Sequence, residues 1–297
     1  MVRHQTSSAS AATEDRPIEY GEHAGENAPR ARAKDRYGNA EGAEYDLARD
    51  GAFNGKKVTV LHLYQGEGFD FSEPKAALKQ KGFKVSRLGA VPSAQELERE
   101  LADASQLWVI SSPGAGGGVG YGYEMLLRQM GRGGHGELPQ LQGSLGADHI
   151  GVITRFYKRG RGLFLWGDND PYHVEANQLA QPLFGVTLAG GDMADQTVGV
   201  RRNGQGPGVV PDHLLTTGIE QLYEGITVSS LQGGQLRPLI FGSFGGTVAG
   251  FHDDKGRRAI VDGGFTRLYH KWDTAGTARY VTNAAAWLAN TERFGQR

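Results

Sequence analysis

The chain has 297 residues, with 32 Lys and Arg against 33 Asp and Glu, so its formal net charge is −1. This length allows one large domain or two small ones, and the balanced charge excludes a global basic field that would recruit nucleic acid or anionic membrane. The sequence contains no cysteine, which excludes disulfides, thiolate zinc sites, iron–sulfur clusters and a thiol nucleophile. Its 46 glycines, about twice the usual share of roughly 7%, predict many tight turns and a flexible loop.

Residues 1–50 contain few large apolar side chains, so they cannot bury enough surface to offset the entropy of ordering. We predict a disordered or loosely docked tail, with a single domain over 51–297. The alternative is a strap that docks through Tyr20, Tyr37 and Tyr45. No apolar core of a secretory signal and no run of 18 apolar residues occurs, so we expect no membrane contact and a cytoplasmic location.

From residue 57 onward, strand and helix patterns alternate. The apolar β-branched runs 58–64, 83–88 and 106–111 are typical of buried parallel strands. Between them we predict a helix that is capped by Ser72 and ends at Gly82, and a second that begins after Ser93, with Glu96 completing a capping box. This alternation predicts an α/β fold with a doubly wound, mostly parallel, flavodoxin-like sheet flanked by helices.

A Gly-rich insertion at 113–146 interrupts the pattern, with a short helix predicted at 123–130. An insertion of this length inside a domain is typically functional or disordered. Its segment 131–136 formally matches G-x-G-x-x-G, but the segment follows a helical pattern rather than a strand. We therefore do not predict a dinucleotide site.

The alternation resumes after the insertion, although 198–211 is Gly- and Arg-rich and is predicted to be a loop. We predict a helix from 147 whose apolar face includes Ile150, Ile153 and Phe156, and another helix that begins at Pro171. The remaining predictions are strands at 162–167, 225–231, 238–243, 247–253 and 257–263, and a closing helix at 277–290.

The strongest cluster of polar side chains follows strand 162–167 and comprises Asp168, Asn169, Asp170 and His173. Because ligands bind outside the carboxyl ends of strands in open α/β sheets, these side chains could hold a polar ligand or a hard divalent cation. In the alternative interpretation Asp168 and Asn169 accept hydrogen bonds in a tight turn, and Asp170 caps the helix that begins at Pro171. Both interpretations stay open on the sequence alone.

Two further clusters follow later strands. The sequence from His252 to Gly256 is typical of a hairpin turn, although His252 could instead approach the turn after 162–167. The third cluster contains Asp262, Arg267, His270 and Lys271. These residues could bind a ligand, or Arg267 and Lys271 could pair with acidic neighbours and hold the loop in place.

The segments GLFLWGDND and RRAIVDGGFTRLY, with the later NAAAWLAN, resemble the class I glutamine amidotransferase-like superfamily, in the non-catalytic branch of gliding-motility and intraflagellar-transport type domains. In the catalytic members a cysteine nucleophile occupies the sharp turn after the strand equivalent to GLFLWG. The resemblance places Asn169 at that turn, and Asn is not a useful nucleophile there. The resemblance therefore implies the fold without the glutaminase activity.

Our leading hypothesis is a non-catalytic amidotransferase-like domain that binds a small ligand or a protein partner. A metal-assisted hydrolase that uses Asp168, Asp170 and His173 is the first alternative, and a structural component of a larger, oligomeric assembly is the second. Nothing in the sequence indicates a particular cofactor. The predicted ligand-binding residues are Asp168, Asn169, Asp170, His173, Asp262, Arg267, His270 and Lys271.

Overall fold

The computed structural model describes residues 33–66, 68–114, 144–270, 272 and 275–291. The strands of this part of the chain are β1 (Lys57–His62), β2 (Lys84–Leu88), β3 (Gln106–Ile110), β4 (Gly162–Trp166), β5 (Val186–Met193), β6 (Thr197–Gly199), β7 (Gly208–Val209), β8 (Gln221–Tyr223), β9 (Thr227–Gly233), β10 (Arg237–Phe241), β11 (Thr247–Asp254) and β12 (Arg257–Asp262). The α-helices are α1 (Ser72–Gln80), α2 (Ala94–Leu101), α3 (Ala147–Lys158), α4 (Val174–Phe184) and α5 (Thr277–Leu288).

Eight strands form the main sheet, in the order β2-β1-β3-β4-β12-β11-β10-β7. The first five strands are parallel, and β11, β10 and β7 extend the sheet with antiparallel pairings. The predicted α/β sheet is confirmed as a mixed, largely parallel one. Its order reverses between β1 and β3, and in flavodoxin-like sheets the ligand crevice lies at this reversal.

The sheet is covered by helices on both faces. One core cluster joins α1 and α5 to side chains such as Val60, Trp108 and Phe164. The other packs α2, α3 and α4 against alternate residues of the same strands, including Leu61, Leu107 and Leu163. Because side chains point alternately to the two faces of a strand, strands that are covered twice must be apolar at every position. This burial explains the continuous apolar runs from which the strands were predicted.

The starts of α1 and α2 test the two capping predictions. At α2, the Ser93 hydroxyl accepts a hydrogen bond from the Glu96 amide and the Glu96 carboxylate accepts one from the Ser93 amide, which confirms the predicted capping box. The prediction that Ser72 caps α1 is wrong, because Ser72 is the first helical residue. The Asp70 carboxylate instead accepts from the Ser72 amide at 2.6 Å, since an oxygen two residues upstream can reach it.

Two short two-stranded sheets were not predicted: β5 pairs with β9, and β6 pairs with β8. The 198–211 stretch, predicted to be a loop, contains the end of β6 and all of β7. Both strands are two or three residues long and are held by pairing with distant segments, so they lack a local hydrophobic period. No described helix combines the length and apolar character that crossing a membrane requires.

Residues 33–50, which belong to the segment predicted to be disordered or loosely docked, contact the domain. The Asn39 side chain accepts from the Glu220 and Gln221 amides at 2.7 and 2.9 Å. Asp46 accepts from Lys81 at 2.7 Å and from Arg279 at 2.8 Å. Polar contacts therefore attach this segment. For residues 1–32, which include Tyr20 and lie outside the described residues, the tail remains a prediction.

The contact between β4 and α5 gives a first testable prediction. A Cβ added at Gly162 would lie 2.6 Å from the Leu288 carbonyl oxygen, whereas one at Gly199 would meet nothing closer than 3.7 Å. We expect Gly162→Ala to lower the free energy of unfolding by about 1–3 kcal/mol, because neither backbone can move away without disturbing the core. Gly199→Ala, also in a strand, is the matched control in urea denaturation. Equal stability of the two variants would contradict this description of the contact.

Candidate binding site at the carboxyl edge of the sheet

Asp168, two residues beyond β4, is fully buried and its carboxylate is surrounded by donors. One oxygen accepts from the Asn169 amide at 2.9 Å and from the Thr227 hydroxyl, and the other accepts from the Thr266 amide at 3.0 Å. Burial raises the pKa of Asp168 to about 6, against the opposing effect of these hydrogen bonds. Asp168 thus joins the β4 turn to the start of β9 and to the loop after β12.

The other residues of this turn also hold one another. The Asn169 side chain donates to the Asp170 carbonyl oxygen at 3.0 Å and accepts from Thr227 at 2.9 Å. Both ring nitrogens of His173 face oxygens of the same turn, the Asp168 carbonyl at 3.0 Å and the Asp170 carboxylate at 3.0 Å. The predicted capping of the helix by Asp170 is wrong, because α4 begins at Val174 and has His173 at its cap position.

The turn is also unlike a strained nucleophile elbow. None of the non-glycine residues from 168 to 173 has a positive φ, and α4 starts eight residues after β4 ends. A nucleophile elbow is a sharp turn directly between strand and helix. At this position the polar groups hold the connection together, as in the turn interpretation of the sequence.

Asp262, at the end of β12, forms a completely buried ion pair with Arg267. The carboxylate accepts from the Arg267 guanidinium at 3.0 Å, from the Tyr280 hydroxyl at 2.8 Å and from the Gly264 amide at 3.0 Å. The guanidinium also donates twice to the Glu224 carbonyl oxygen, at 3.0 and 2.6 Å. Of the two interpretations of Asp262 and Arg267, the contacts match the one in which Arg267 holds the loop in place.

His252 does not reach this edge. It pairs with Ala259 in the hairpin of β11 and β12, and its Nδ1 lies within hydrogen-bonding distance of the Tyr157 hydroxyl, at 2.7 Å. Lys255 and Gly256 have φ values of 51° and 75°, as a two-residue hairpin turn requires. The hairpin interpretation is therefore confirmed, and an approach of His252 to the β4 turn is ruled out.

The sequence did not predict a third group of side chains at this edge. His62, the last residue of β1, is buried, and its two ring nitrogens lie 2.7 Å from an Arg87 guanidinium nitrogen and 2.6 Å from the Tyr269 hydroxyl. Arginine only donates hydrogen bonds, so the first ring nitrogen, Nδ1, must accept. Burial, together with the Arg87 charge, lowers the pKa of His62 to about 4 and keeps the ring neutral.

This tautomer determines what Tyr269 can do. With Nδ1 accepting from Arg87, the hydrogen of neutral His62 is on Nε2 and is donated to the Tyr269 oxygen. The Tyr269 hydroxyl hydrogen is then left for another acceptor, and none occurs within the described ranges 33–66, 68–114, 144–270, 272 and 275–291. Tyr269 is partly exposed and Arg87 is exposed, so the edge presents donors to solvent.

Aromatic rings surround these donors. Phe69 lies edge-on to Tyr269 and to His270, with ring centroids 5.0 and 5.2 Å apart, and Tyr64 lies 5.0 Å from Phe265. His270, one of the predicted ligand-binding residues, is partly exposed beside Phe69. Lys271, also predicted, lies outside the described residues. The one sequence signal for this group was a histidine within the apolar run VTVLHLY.

Glu175, in the first turn of α4, is another carboxylate that the sequence prediction missed. It is fully buried and accepts from the amide and hydroxyl of Ser112, at 2.8 and 2.9 Å, and of Ser144, at 3.0 and 2.9 Å. These serines flank residues 115–143 of the predicted insertion, which lie outside the described residues. A single carboxylate therefore holds both described ends of the insertion beside the edge of the sheet.

This arrangement gives a second prediction. We expect Glu175→Gln to destabilise the protein by about 1–3 kcal/mol, because the new amide group turns a donor toward donors that previously had an acceptor. Glu98→Gln removes the same charge from an exposed position and is the matched control. Hydrogen exchange at the Ser112 and Ser144 amides should accelerate in the first variant only. Unchanged exchange there would show that Glu175 does not hold these ends.

The described residues of the site do not form a metal centre. Within the described ranges, no group of three or more His, Asp or Glu side chains is arranged to hold an ion. Asp168, Asp170 and His173, the proposed ligands of a metal-assisted hydrolase, direct their polar atoms to partners within the turn and its neighbours. The edge therefore combines neutral and cationic donors with the carboxylates of Asp70, which is exposed, and Asp170, which is partly exposed.

The chain is similar to several solved structures, whereas no family model and no curated protein matches it. The mmIFT52 N-terminal domain is 10% identical, covers 78% of this chain and 97% of its own, and has a TM-score of 0.53. Cytoplasmic protein STM3548 from Salmonella typhimurium is 12% identical, covers 78% and 98%, and has a TM-score of 0.50. A Thermoplasma acidophilum protein that is provisionally named as a GMP synthase component is 10% identical, covers 82% and 99%, and has a TM-score of 0.46.

At identities this low, the likeness concerns the fold alone. The chain is similar in fold to the mmIFT52 N-terminal domain and to STM3548, and it contains no cysteine that could serve as a thiol nucleophile.

Proposed function

We propose that this chain is a non-catalytic amidotransferase-like domain that binds a small ligand or a protein partner at the carboxyl edge of its sheet. The observation that carries the proposal is the hydrogen-bond chain from Arg87 through His62 to Tyr269. It leaves the phenolic hydrogen free for an external acceptor, at the strand reversal between β1 and β3 where ligands bind in sheets of this order.

The carboxylates of the same edge support a binding role over a catalytic one. Asp168 and Asp262 each accept three hydrogen bonds from within the protein and are inaccessible to solvent. A general base needs a proton to abstract within hydrogen-bonding reach, and a buried carboxylate surrounded by its own donors has none from a substrate. The accessible groups of the edge include a hydroxyl, a guanidinium and aromatic rings, which recognise acceptor-bearing ligands, and they lie beside the carboxylates of Asp70 and Asp170.

The test is an NMR titration of isotope-labelled protein with acetamide, acetate and inorganic phosphate as minimal acceptor probes. We expect at least one probe to shift the amide signals of residues 62–66, 87 and 265–270 in a saturable way. Tyr269→Phe removes the donated hydrogen but keeps the ring, and should weaken binding. Arg87→Gln removes the cation that sets the His62 tautomer and should weaken it further.

Tyr37→Phe is the matched control, because its hydroxyl lies on the N-terminal segment and accepts a hydrogen bond from Arg36. It should leave the titration unchanged. If no probe moves the edge signals, or if Tyr269→Phe binds as well as Tyr37→Phe, the proposed site is wrong.

A further inference from the structure

A cavity of about 650 Å³ lies at the opposite end of the sheet from the carboxyl edge. Its walls come from the loop between β7 and β8, the first residue of β10, the hairpin of β11 and β12, and the last turn of α5. Residues His213, Arg237, Asp253, Arg258 and Trp287 line it. A volume of this size accommodates a small organic molecule.

A stack of planar groups forms one side of this cavity. The ring of His213 lies 4.2 Å from that of Phe251, and Trp287 meets Phe251 edge-on at 5.9 Å. Arg237 lies over Phe251 at 4.6 Å from the ring centroid, and Arg258 lies over Trp287 at 5.0 Å. Cation–π contacts of this kind hold a guanidinium in place while leaving its N–H donors at the edge of the plane.

The His213 ring presents a donor to the cavity. Its Nδ1 accepts from the Leu215 amide at 3.2 Å, in the manner of a helix cap, so in the neutral ring the hydrogen is on Nε2. Burial, with Arg237 and Arg258 nearby, lowers the pKa of His213 and favours this neutral form. No protein acceptor for Nε2 occurs within the described ranges.

Two of the three arginines that line the cavity have a carboxylate partner. Arg258 donates to Asp253 at 3.2 Å and to the Trp287 carbonyl at 3.0 Å, and Arg202 is paired with Glu220. Arg237 has no carboxylate partner within the described residues, and its one specific contact is the face of Phe251. Asp212 and Arg237 are both exposed at the mouth of the cavity, and no ion pair joins them. Arg237 is thus a guanidinium at this cavity without a carboxylate partner among the described residues.

We propose that this cavity binds a small organic anion, with a carboxylate or phosphate group held by Arg237 and by the Nε2 hydrogen of His213. An unpaired guanidinium provides two parallel donors that match the oxygens of either group. Trp287, which also lines the cavity, adds an apolar group beside these donors. This site is independent of the carboxyl edge, since no residue is shared between them.

The experiment is an NMR titration that follows the Leu215 amide, whose partner is His213. The probes are acetate, inorganic phosphate and, as a cation control at equal ionic strength, methylammonium. We expect acetate or phosphate to shift the signal in a saturable way and methylammonium to leave it unchanged. Arg237→Gln should raise the dissociation constant about tenfold or more, the effect of losing a hydrogen bond between charged groups.

Arg202→Gln is the matched control, because it removes a guanidinium from the same cavity whose charge Glu220 already offsets. It should change binding much less than Arg237→Gln. His213→Asp keeps an acceptor for the Leu215 amide but adds a negative charge, and should abolish binding while the melting temperature stays near that of the wild type. Failure of both anions to shift Leu215, or equal weakening by Arg202→Gln and Arg237→Gln, would overturn the proposal.

Discussion

Replacing Arg267 with Met is expected to lower the free energy of unfolding by about 3–5 kcal/mol, the cost of leaving a buried charge without its partner. Asp262 and Arg267 are both fully buried, so no water can compensate the carboxylate once the guanidinium is gone. The Glu224 carbonyl would lose two donors in the same substitution. Urea denaturation, with the midpoint and the slope both fitted, measures the change.

Arg155→Met is the matched control, because Arg155 forms an exposed pair with Glu98 at 3.2 Å. It should change stability by less than about 1 kcal/mol. The double variant Asp262→Leu with Arg267→Met should recover part of the loss, because apolar residues in place of both charges remove the unpaired carboxylate. If Arg267→Met is as stable as Arg155→Met, the pair does not hold the loop and our description of this edge is wrong.

The second large effect is a dependence of stability on pH with two opposing parts. Asp168 has a folded-state pKa of about 6 against an ordinary 3.8, so the folded state binds the proton more tightly. Its contribution is fully present below pH 4 and is lost as the pH rises through 6. His62 has a folded-state pKa of about 4 against an ordinary 6.5, so its contribution is present above pH 6.5 and is lost as the pH falls through 4.

Each group changes the free energy of unfolding by about 3 kcal/mol between its ordinary and its folded-state pKa, since one pKa unit corresponds to about 1.4 kcal/mol. In the wild type these two parts largely cancel between pH 4 and 6.5, which makes single variants informative. The charged neighbours of His62 are Arg87 and Asp70, and the Arg87 charge stays constant over this range.

The measurement is the free energy of unfolding of the wild type and of Asp168→Asn at several pH values from 4 to 6.5. The stability of the wild type relative to the variant should fall by about 3 kcal/mol as the pH rises. The stability of the wild type relative to His62→Phe should rise over the same interval, because only the wild type has the histidine, whose contribution grows as the pH rises. If the difference in stability between the wild type and Asp168→Asn does not change with pH, burial does not raise the pKa of Asp168.

Much of the fold was predictable because its signals are local. The apolar strands such as 106–110 are buried on both faces, and the Ser93 capping box depends on residues three positions apart. Strands β5 and β8 were not predicted, since they are interrupted by glycine or are very short and are held by distant partners. The eight-residue span of β5 includes a bulge that removes any regular alternation.

The candidate site was only partly predictable, for the same reason. The sequence located Asp168 and Asp262 at strand ends, but it could not show that Thr227 and Thr266 would satisfy Asp168 from 59 and 98 residues away. Likewise, nothing local links His62 to Tyr269, which are 207 residues apart. A hydrogen-bond network that closes through tertiary contacts decides which polar residues are available to a ligand.

According to our proposal, the carboxyl edge does not hydrolyse glutamine. The most direct test uses glutamine labelled with ¹⁵N in its side-chain amide. Incubation with the full chain, followed by NMR, should show no release of labelled ammonium above the buffer rate, because no thiol is present and the buried Asp168 carboxylate accepts hydrogen bonds from the protein's own donors. Release of ammonium that depends on the protein and is lost in Asp168→Asn would contradict this account.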